Sequence, residues 1–213
     1  MDYFGRREAA DKLAAALGGH VRTPEVGDAT PHSAIVEAEI DGEVIEIDFL
    51  SHVLGVNANV LQRSAVELIL AIRTPAGEGT LTVPIMHPLH VLQSRVANVV
   101  ELKRTTDLAI RQLNASPIVL REYVSNMLNL GKHREATATL EQLFEYLRSH
   151  VNGRRAHRVM ANDPAGILDH FAKDPRIDER YRANTLNNMR EQLRSRRSAW
   201  ARMAALVGLG RRV

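Results

Sequence analysis

The spacing of apolar and polar residues along the chain changes near Pro88. Up to that point, after a first helical stretch, apolar side chains alternate with polar ones in short runs, which is the pattern of half-buried β-strands. Beyond it they recur every three or four residues, as in amphipathic helices. The pattern predicts an α+β fold: a small mixed sheet with an acidic β-hairpin in the N-terminal half, then an all-helical C-terminal region. We expect two domains, residues 1–87 and residues 88–213.

The clearest strand pattern is the segment SAIVEAEIDGEVIEIDFL, residues 33–50. Its central Asp-Gly dipeptide, at positions 41–42, favours a two-residue type I′ turn because both central residues of that turn take positive φ. Counting pairs outward from the turn places Glu37 opposite Glu46. Directly opposed residues share a face, so one face of the hairpin is predicted to be apolar. The other face carries the four carboxylates of Glu37, Glu39, Glu46 and Asp48.

Four carboxylates on one face require open water or a counter-charge, since like charges directly opposite each other destabilise a sheet by up to about 1 kcal/mol. Two interpretations remain open, a solvated outer face and a cluster that faces a cation. Glu46 and Asp48 stand two residues apart on one strand, so their side chains point the same way and offer the hard oxygen ligands that divalent cations prefer. An arginine would neutralise the carboxylates equally well.

Further elements are predicted from the spacing of apolar residues and from the positions of glycine and proline. Short strands are predicted over residues 20–23, 65–72 and 80–86, with a loop over 74–79 and a turn-like link over 55–59. Pro88 is well placed as a first helical residue, and Gly18-Gly19 supplies a left-handed helix end. Helices are predicted over residues 6–17, 89–102, 105–113, 117–128, 135–148, 164–171 and 180–206.

Composition excludes several classes of protein. The chain has no cysteine, which rules out disulfides, thiolate catalysis and cysteine-based zinc sites. Aromatic residues make up only 4%, which argues against base-stacking platforms for RNA or single-stranded DNA. No apolar run is long enough to cross a bilayer, and the N-terminus does not resemble a signal peptide. We therefore predict a cytoplasmic protein with no membrane partner.

Charge divides unevenly along the chain. Residues 1–100 contain 7 Lys and Arg against 13 Asp and Glu, a net charge of −6, while residues 101–213 contain 21 against 12, a net charge of +9. The basic residues concentrate in two blocks, Arg154, Arg155 and Arg158, then Arg190, Arg194, Arg196 and Arg197. Each block is interpreted either as a helix face paired with local acids or as a surface that binds phosphate.

The nine histidines form no HExxH motif or zinc-module spacing. His87 and His90 bracket a strand-to-helix corner, where capping or surface roles are expected. The sequence also contains no Walker loop, GxGxxG or Gly-x-Ser-x-Gly motif.

The order of several elements resembles a known family. Asp2 ahead of the first helix, the strand IEIDFL, the strand TLTVPIMHP and the helix LHVLQSRVANVVELKR followed by Asp107 are similar to bacterial nucleotidyltransferase-fold proteins. Such proteins occur as the toxin arm of abortive-infection and minimal nucleotidyltransferase systems. In that family a Gly-Ser turn binds the triphosphate, an Asp-x-Asp pair and a third acid hold magnesium, and a basic residue in a later helix contacts phosphate. The resemblance covers residues 1–115 loosely.

This resemblance implies roles for four residues. Asp48 corresponds to the third acid and Asp2 to the second acid of the pair, both as catalytic magnesium ligands. Glu46 is implied as an auxiliary metal carboxylate and Arg95 as a phosphate contact. The implied cofactor is Mg²⁺, and the implied reaction transfers a nucleoside monophosphate from a nucleoside triphosphate to a protein or RNA hydroxyl, with a cognate antitoxin as a partner. Because the Gly-Ser motif and a complete Asp-x-Asp are missing, the resemblance implies a core that is N-terminally incomplete or degenerate.

A second hypothesis comes from a different class of function. The chain would be a non-catalytic interaction protein whose basic C-terminal helices bind a protein or RNA partner. The sequence alone leaves the choice open, because it does not show whether the acidic hairpin faces a cleft or bulk water.

Overall fold

A computed structural model of the chain describes residues 2–24, 32–74 and 77–206 and divides into two compact units, Met1–Ile85 and Met86–Val213. The first contains a small mixed sheet, and the described residues of the second form helices without strands, which confirms the α+β class. Within the described ranges, no helix combines the length and the apolar character needed to cross a membrane.

The first unit consists of six strands and two helices in its described residues. Their bounds are β1 Asp2–Phe4, α1 Arg7–Leu17, β2 His20–Arg22, β3 His32–Ile40, β4 Glu43–Leu50, α2 Ala58–Arg63, β5 Val66–Thr74 and β6 Gly77–Ile85. The second unit consists of helices that pack on one another. Their bounds are α3 Pro88–Val100, α4 Asp107–Asn129, α5 His133–Ser149, α6 Val151–Val159, α7 Gly166–Phe171, a π-helical turn Tyr181–Leu186 and α8 Asn187–Leu206.

The main sheet has the strand order β1-β4-β3-β2, with β1 parallel to β4 and the other pairs antiparallel. The predicted register of the acidic hairpin is confirmed, since Glu37 pairs with Glu46 and Ile35 with Asp48. Asp41 and its following glycine have φ of 53° and 82°, as a type I′ turn requires. Helix α1 covers the apolar face, whose core consists of Ala10, Ala14, Ala34, Val36, Ile47 and Phe49.

The two glycines after α1 allow that helix to lie close to the sheet. Gly18 ends the helix with a left-handed φ of 67°. A Cβ on Gly19 would lie 2.3 Å from the carbonyl oxygen of Glu37, a distance that no side chain tolerates. The glycine pair therefore ends the helix and brings the chain directly against β3.

Strands β5 and β6 form a separate two-stranded ribbon that is amphipathic. Its register pairs Leu68 with Val83 and Leu70 with Leu81, so these side chains share one apolar face. Leu70 and Leu81 are 40% and 46% exposed. Thr74 and residues 77–79, which were predicted to lie in a loop, belong to the paired strands instead.

Helix α4 runs unbroken through Pro117, where the sequence analysis predicted two separate helices over 105–113 and 117–128. A proline inside a helix lacks the N–H that would bond to the carbonyl four residues earlier. That carbonyl belongs to Leu113, and the buried hydroxyl of Ser116 donates to it at 2.7 Å. The replacement partner explains why the helix continues, and the prediction of a break was wrong.

Helices α6 and α2 were not predicted from the sequence. Helix α6 lacks an apolar stripe, because its buried residues are Asn152, Gly153 and Ala156. The His150 ring caps it by accepting from the Asn152 N–H at 3.2 Å. Its approach to α5 depends on Gly153, where a Cβ would lie 2.0 Å from the carbonyl oxygen of Tyr146.

The Gly153 contact predicts an unusual response to alanine. Gly153→Ala would normally favour a helix, but here it should lower the free energy of unfolding by about 1–3 kcal/mol because of overpacking against α5. Gly166→Ala is the matched control, since a Cβ there meets nothing within 4 Å. Urea unfolding compares the two variants, and equal stability of Gly153→Ala and the parent would contradict the close α5–α6 packing.

His87 is the N-cap of α3, as the sequence analysis expected for this corner. Its Nδ1 accepts from the Leu89 N–H at 3.1 Å, with Pro88 as the first helical residue. The ring packs edge-on against Tyr123, with centroids 4.8 Å apart. Burial, and then the nearby charge of His90, lower the pKa of His87 to about 4. The folded protein therefore holds this imidazole neutral as a hydrogen-bond acceptor.

The lowered pKa of His87 predicts a pH dependence with a definite sign. The unfolded chain protonates His87 near its usual pKa of 6.5 and the folded chain only near 4, so stability should fall as the pH drops through that window. His87→Asn keeps a capping side chain that does not titrate, so it should make the stability less dependent on pH. Urea midpoints at several pH values measure it, with His133→Asn as a control. If His87→Asn and the parent show the same slope, the neutral cap is wrong.

Candidate active site

The candidate site is the acidic face of the main sheet, which we define as the side of β2, β3 and β4 opposite α1. Besides the four carboxylates of the hairpin, it carries His20 and Arg22 from β2. That strand alternates in the same way as the hairpin, since His20 pairs with Glu37 and Val21 pairs with Val36 in the core. The acidic face therefore carries both signs of charge.

Arg22 neutralises the opposed glutamate pair. Its Nε donates to Glu37 Oε1 at 2.9 Å and its Nη2 lies 3.7 Å from Glu46 Oε1. His20 Nε2 lies 3.0 Å from the other oxygen of Glu37. The hydrogen bond from Arg22, reinforced by the charges of Arg22 and His20 against a desolvation that opposes them, holds the pKa of Glu37 below its usual 4.5. The counter-charge at this pair is thus an arginine.

Asp48 lies further along the same face, with a different neighbour. His32 Nε2 is 3.8 Å from Asp48 Oδ1, and the two side chains are 30% and 27% exposed. Asp48 is therefore partly accessible to solvent, while the opposite side of its strand is buried under α1.

The backbone register brings Asp2 next to Asp48. Strand β1 runs parallel to β4, and Asp2 pairs directly with Asp48. Ser33 holds this end of the sheet together, because its hydroxyl lies 2.8 Å from the carbonyl oxygen of Gly5 and 3.1 Å from that of Phe49. A β-bulge between positions 32 and 34 leaves Ser33 out of the regular pairing and so allows both contacts.

The four residues that the family resemblance implied are distributed as follows. The backbones of Asp2 and Asp48 are adjacent, and Glu46 lies on the same face beside Arg22. The side chain of Asp2 lies outside the described part of the structure. Arg95 is half-buried on α3, in the helical unit. Among the described side chains, no group of three or more His, Asp or Glu could hold a metal ion.

His20, Arg22 and His32 were not among the predicted site residues. The signal for the first two was available, because a strand over residues 20–23 places positions 20 and 22 on one face. The contact of His32 with Asp48 depends on the β-bulge, which has no clear mark in the sequence.

The arginines of α8 pair within the helical unit. Arg190 and Arg194 both bind Asp169, and Arg197 binds Asp163. Arg196 Nη1 donates to the carbonyl oxygen of Arg148 at 2.7 Å. Of the two interpretations of this basic block, pairing with local acids describes Arg190, Arg194 and Arg197.

The Arg22 contacts predict a measurable shift. Arg22→Gln should raise the pKa of Glu37 toward 4.5, as followed by NMR titration of the side-chain carboxyl. A carboxyl group whose pKa is lowered on folding stabilises the folded protein at pH values above its unfolded-state pKa. This stabilisation is lost as the pH falls through the lowered pKa, so the variant should lose less stability on acidification than the parent. Arg7→Gln is the control, because its partner is Asp11 on α1. An unchanged pKa of Glu37 in Arg22→Gln would show that Arg22 is not its main partner.

Comparison with known proteins does not assign this site. No protein-family model, curated protein or solved structure matches the chain at a significant level. Any functional assignment must therefore be argued from the acidic face itself, above all from the adjacency of Asp2 and Asp48.

Proposed function

We propose that the chain is a nucleotidyltransferase-like protein whose metal-binding carboxylates are Asp48 and Asp2. The observation that carries the proposal is the parallel register of β1 and β4, which places the two residues directly opposite each other. Neighbouring strands lie about 4.8 Å apart, a spacing from which two carboxylates can share one divalent cation.

The charges on the acidic face favour Asp48 over the other carboxylates as a ligand. Glu37 and Glu46 both lie against Arg22, so a cation at their position would be repelled by a guanidinium. The described contact of Asp48 is with the His32 ring at 3.8 Å, and not with a guanidinium. We therefore propose Asp48 and Asp2 as the metal ligands. Glu46, which the resemblance implied as an auxiliary ligand, pairs with Arg22 instead.

The donor chemistry suits Mg²⁺, which prefers one or two carboxylates together with substrate phosphates. When bound, Mg²⁺ would supply neutralisation of the triphosphate charge. Asp48 and Asp2 would hold the ion on the acidic face. The acceptor oxygen would bond to the α-phosphorus as the bond to the β-phosphate breaks, with pyrophosphate leaving and the hydroxyl proton passing to a carboxylate or to water. The chain's own contribution is positioning on a rigid sheet.

The remaining roles in this proposal come from the family resemblance. Arg95 lies on α3 in the helical unit, and its role as a phosphate contact stays an implication of the resemblance. The acceptor would be a protein or RNA hydroxyl, and a cognate antitoxin would be a partner. A cytoplasmic location belongs to the same proposal, consistent with the absence of cysteine.

A second candidate is the non-catalytic interaction protein, in which the basic helices bind a protein or RNA. Arg154 and Arg155 favour it, because both are exposed on α6. The arginines of α8 favour it less, since Arg190, Arg194 and Arg197 already bind aspartates.

The proposal predicts metal-dependent nucleotide binding that requires Asp48. With MgCl₂ and the preferred nucleoside triphosphate, a ligand at one hundred times its Kd should stabilise the folded protein by about 2.7 kcal/mol, visible as a rise in Tm. Asp48→Asn should abolish the rise. Glu39→Gln removes the same charge from the same face nearer the turn and should retain it. The assay is repeated with each of the four nucleoside triphosphates.

Two results would count against the proposal. One is the absence of any shift in the parent with all four triphosphates and magnesium. The other is an Asp48→Asn variant that responds as the parent does. Either result would favour the interaction protein, whose stability has no reason to depend on magnesium at Asp48.

A further inference from the structure

The helical unit contains an open cavity of about 750 Å³ beside α7. All of the residues that line it belong to this unit, whereas the acidic face belongs to the other. Its volume falls within the range of small-molecule sites. It is lined by Arg121 of α4, by Gly166, Asp169 and His170 of α7, and by the following segment Lys173, Asp174, Pro175 and Arg176.

Both aspartates of the cavity wall are already neutralised. Asp174 is 8% exposed and binds Arg176 through Oδ2 to Nη2 at 2.5 Å and through Oδ1 to Nε at 2.9 Å. Arg176 also donates to Ser125 Oγ at 3.1 Å and to Asn129 Oδ1 at 2.5 Å, which fixes the wall segment to α4. This side of the cavity is therefore preorganised.

Asp169 has two arginine partners, Arg190 and Arg194, so its surroundings are positive in sum. Among the described contacts, Arg121 pairs with its exposed sequence neighbour Glu122, a contact of small energetic value. The Lys173 side chain is exposed, and among the described contacts its ammonium has no acidic partner.

The side chains that line the cavity carry a net positive charge, since three cations stand against two carboxylates. The cations are Arg121, Lys173 and Arg176, and the carboxylates are Asp169 and Asp174. Arg190 and Arg194, which bind Asp169, add further positive charge beside it.

We propose that this cavity binds a phosphorylated small molecule, with its phosphate on Lys173 and Arg121. A phosphate monoester carries a charge of about −1.5 to −2 at neutral pH, and an arginine fork and a lysine ammonium both bind phosphate oxygens. The His170 ring and Pro175 offer less polar walls for the organic part of the ligand. The cavity is larger than a lone phosphate needs, so the ligand is an ester.

The test compares AMP with adenosine, which differ only in the phosphate. Both are titrated into the full chain by calorimetry with EDTA present, so that metal-bridged binding at Asp48 does not contribute. AMP should bind with a Kd of about 1 mM or lower, and adenosine should not bind measurably. Lys173→Ala should weaken AMP binding by about tenfold with an unchanged Tm, because the side chain is exposed.

Arg134→Ala is the matched control, since it removes one exposed positive charge from α5 outside the cavity and should leave AMP binding as in the parent. Citrate serves as an anionic comparison ligand that carries carboxylates in place of phosphate, and it should bind more weakly than AMP. The proposal is overturned if AMP does not bind, if adenosine or citrate binds as well as AMP, or if Lys173→Ala and Arg134→Ala have equal effects. Because no metal is present, these results are independent of the proposed function of the acidic face.

Discussion

The register of β3 against β4 is the constraint on which the acidic face depends. The Asp-Gly turn fixes the pairing, and the burial of Val36, Ile47 and Phe49 under α1 holds it in place. A shift of one residue would place Glu46 and Asp48 in the core and expose the apolar side chains, at a cost that no contact in the sheet could offset. The positions of the carboxylates therefore follow from hydrophobic burial on the opposite side of the strands.

Once the register is fixed, the acidic face has two parts that differ in their neighbouring charges. Near β2, Arg22 joins the two glutamates that would otherwise repel each other, so this part stabilises the sheet. Near β1, Asp48 and Asp2 are brought together by strand pairing, and the described neighbour of Asp48 is His32 at 3.8 Å. A structural role and a ligand-binding role are thus compatible on one small sheet because the guanidinium reaches only the first part.

The sequence was informative where local chemistry decides structure and less so where a single distant contact decides it. The hairpin register followed from the turn and from strict alternation, and the helix predicted over residues 135–148 followed from the helical spacing of its apolar residues. The unbroken α4 depends instead on one Ser116 hydroxyl, and α6 on close packing at Gly153. The pairing of β1 with β4 could not be predicted from three residues at the chain start, since parallel pairing is a non-local contact.

The central claim is that strand pairing places Asp2 and Asp48 together as one cation site on an accessible face. Paramagnetic Mn²⁺ in place of Mg²⁺ tests it directly, because it broadens the NMR signals of nuclei close to the bound ion. The account predicts that the backbone amide signals of Asp2 and Asp48 broaden first, at concentrations that leave Glu39 and Val44 near the turn unaffected. Equal broadening along the whole hairpin, or broadening that begins beside Arg22, would contradict it.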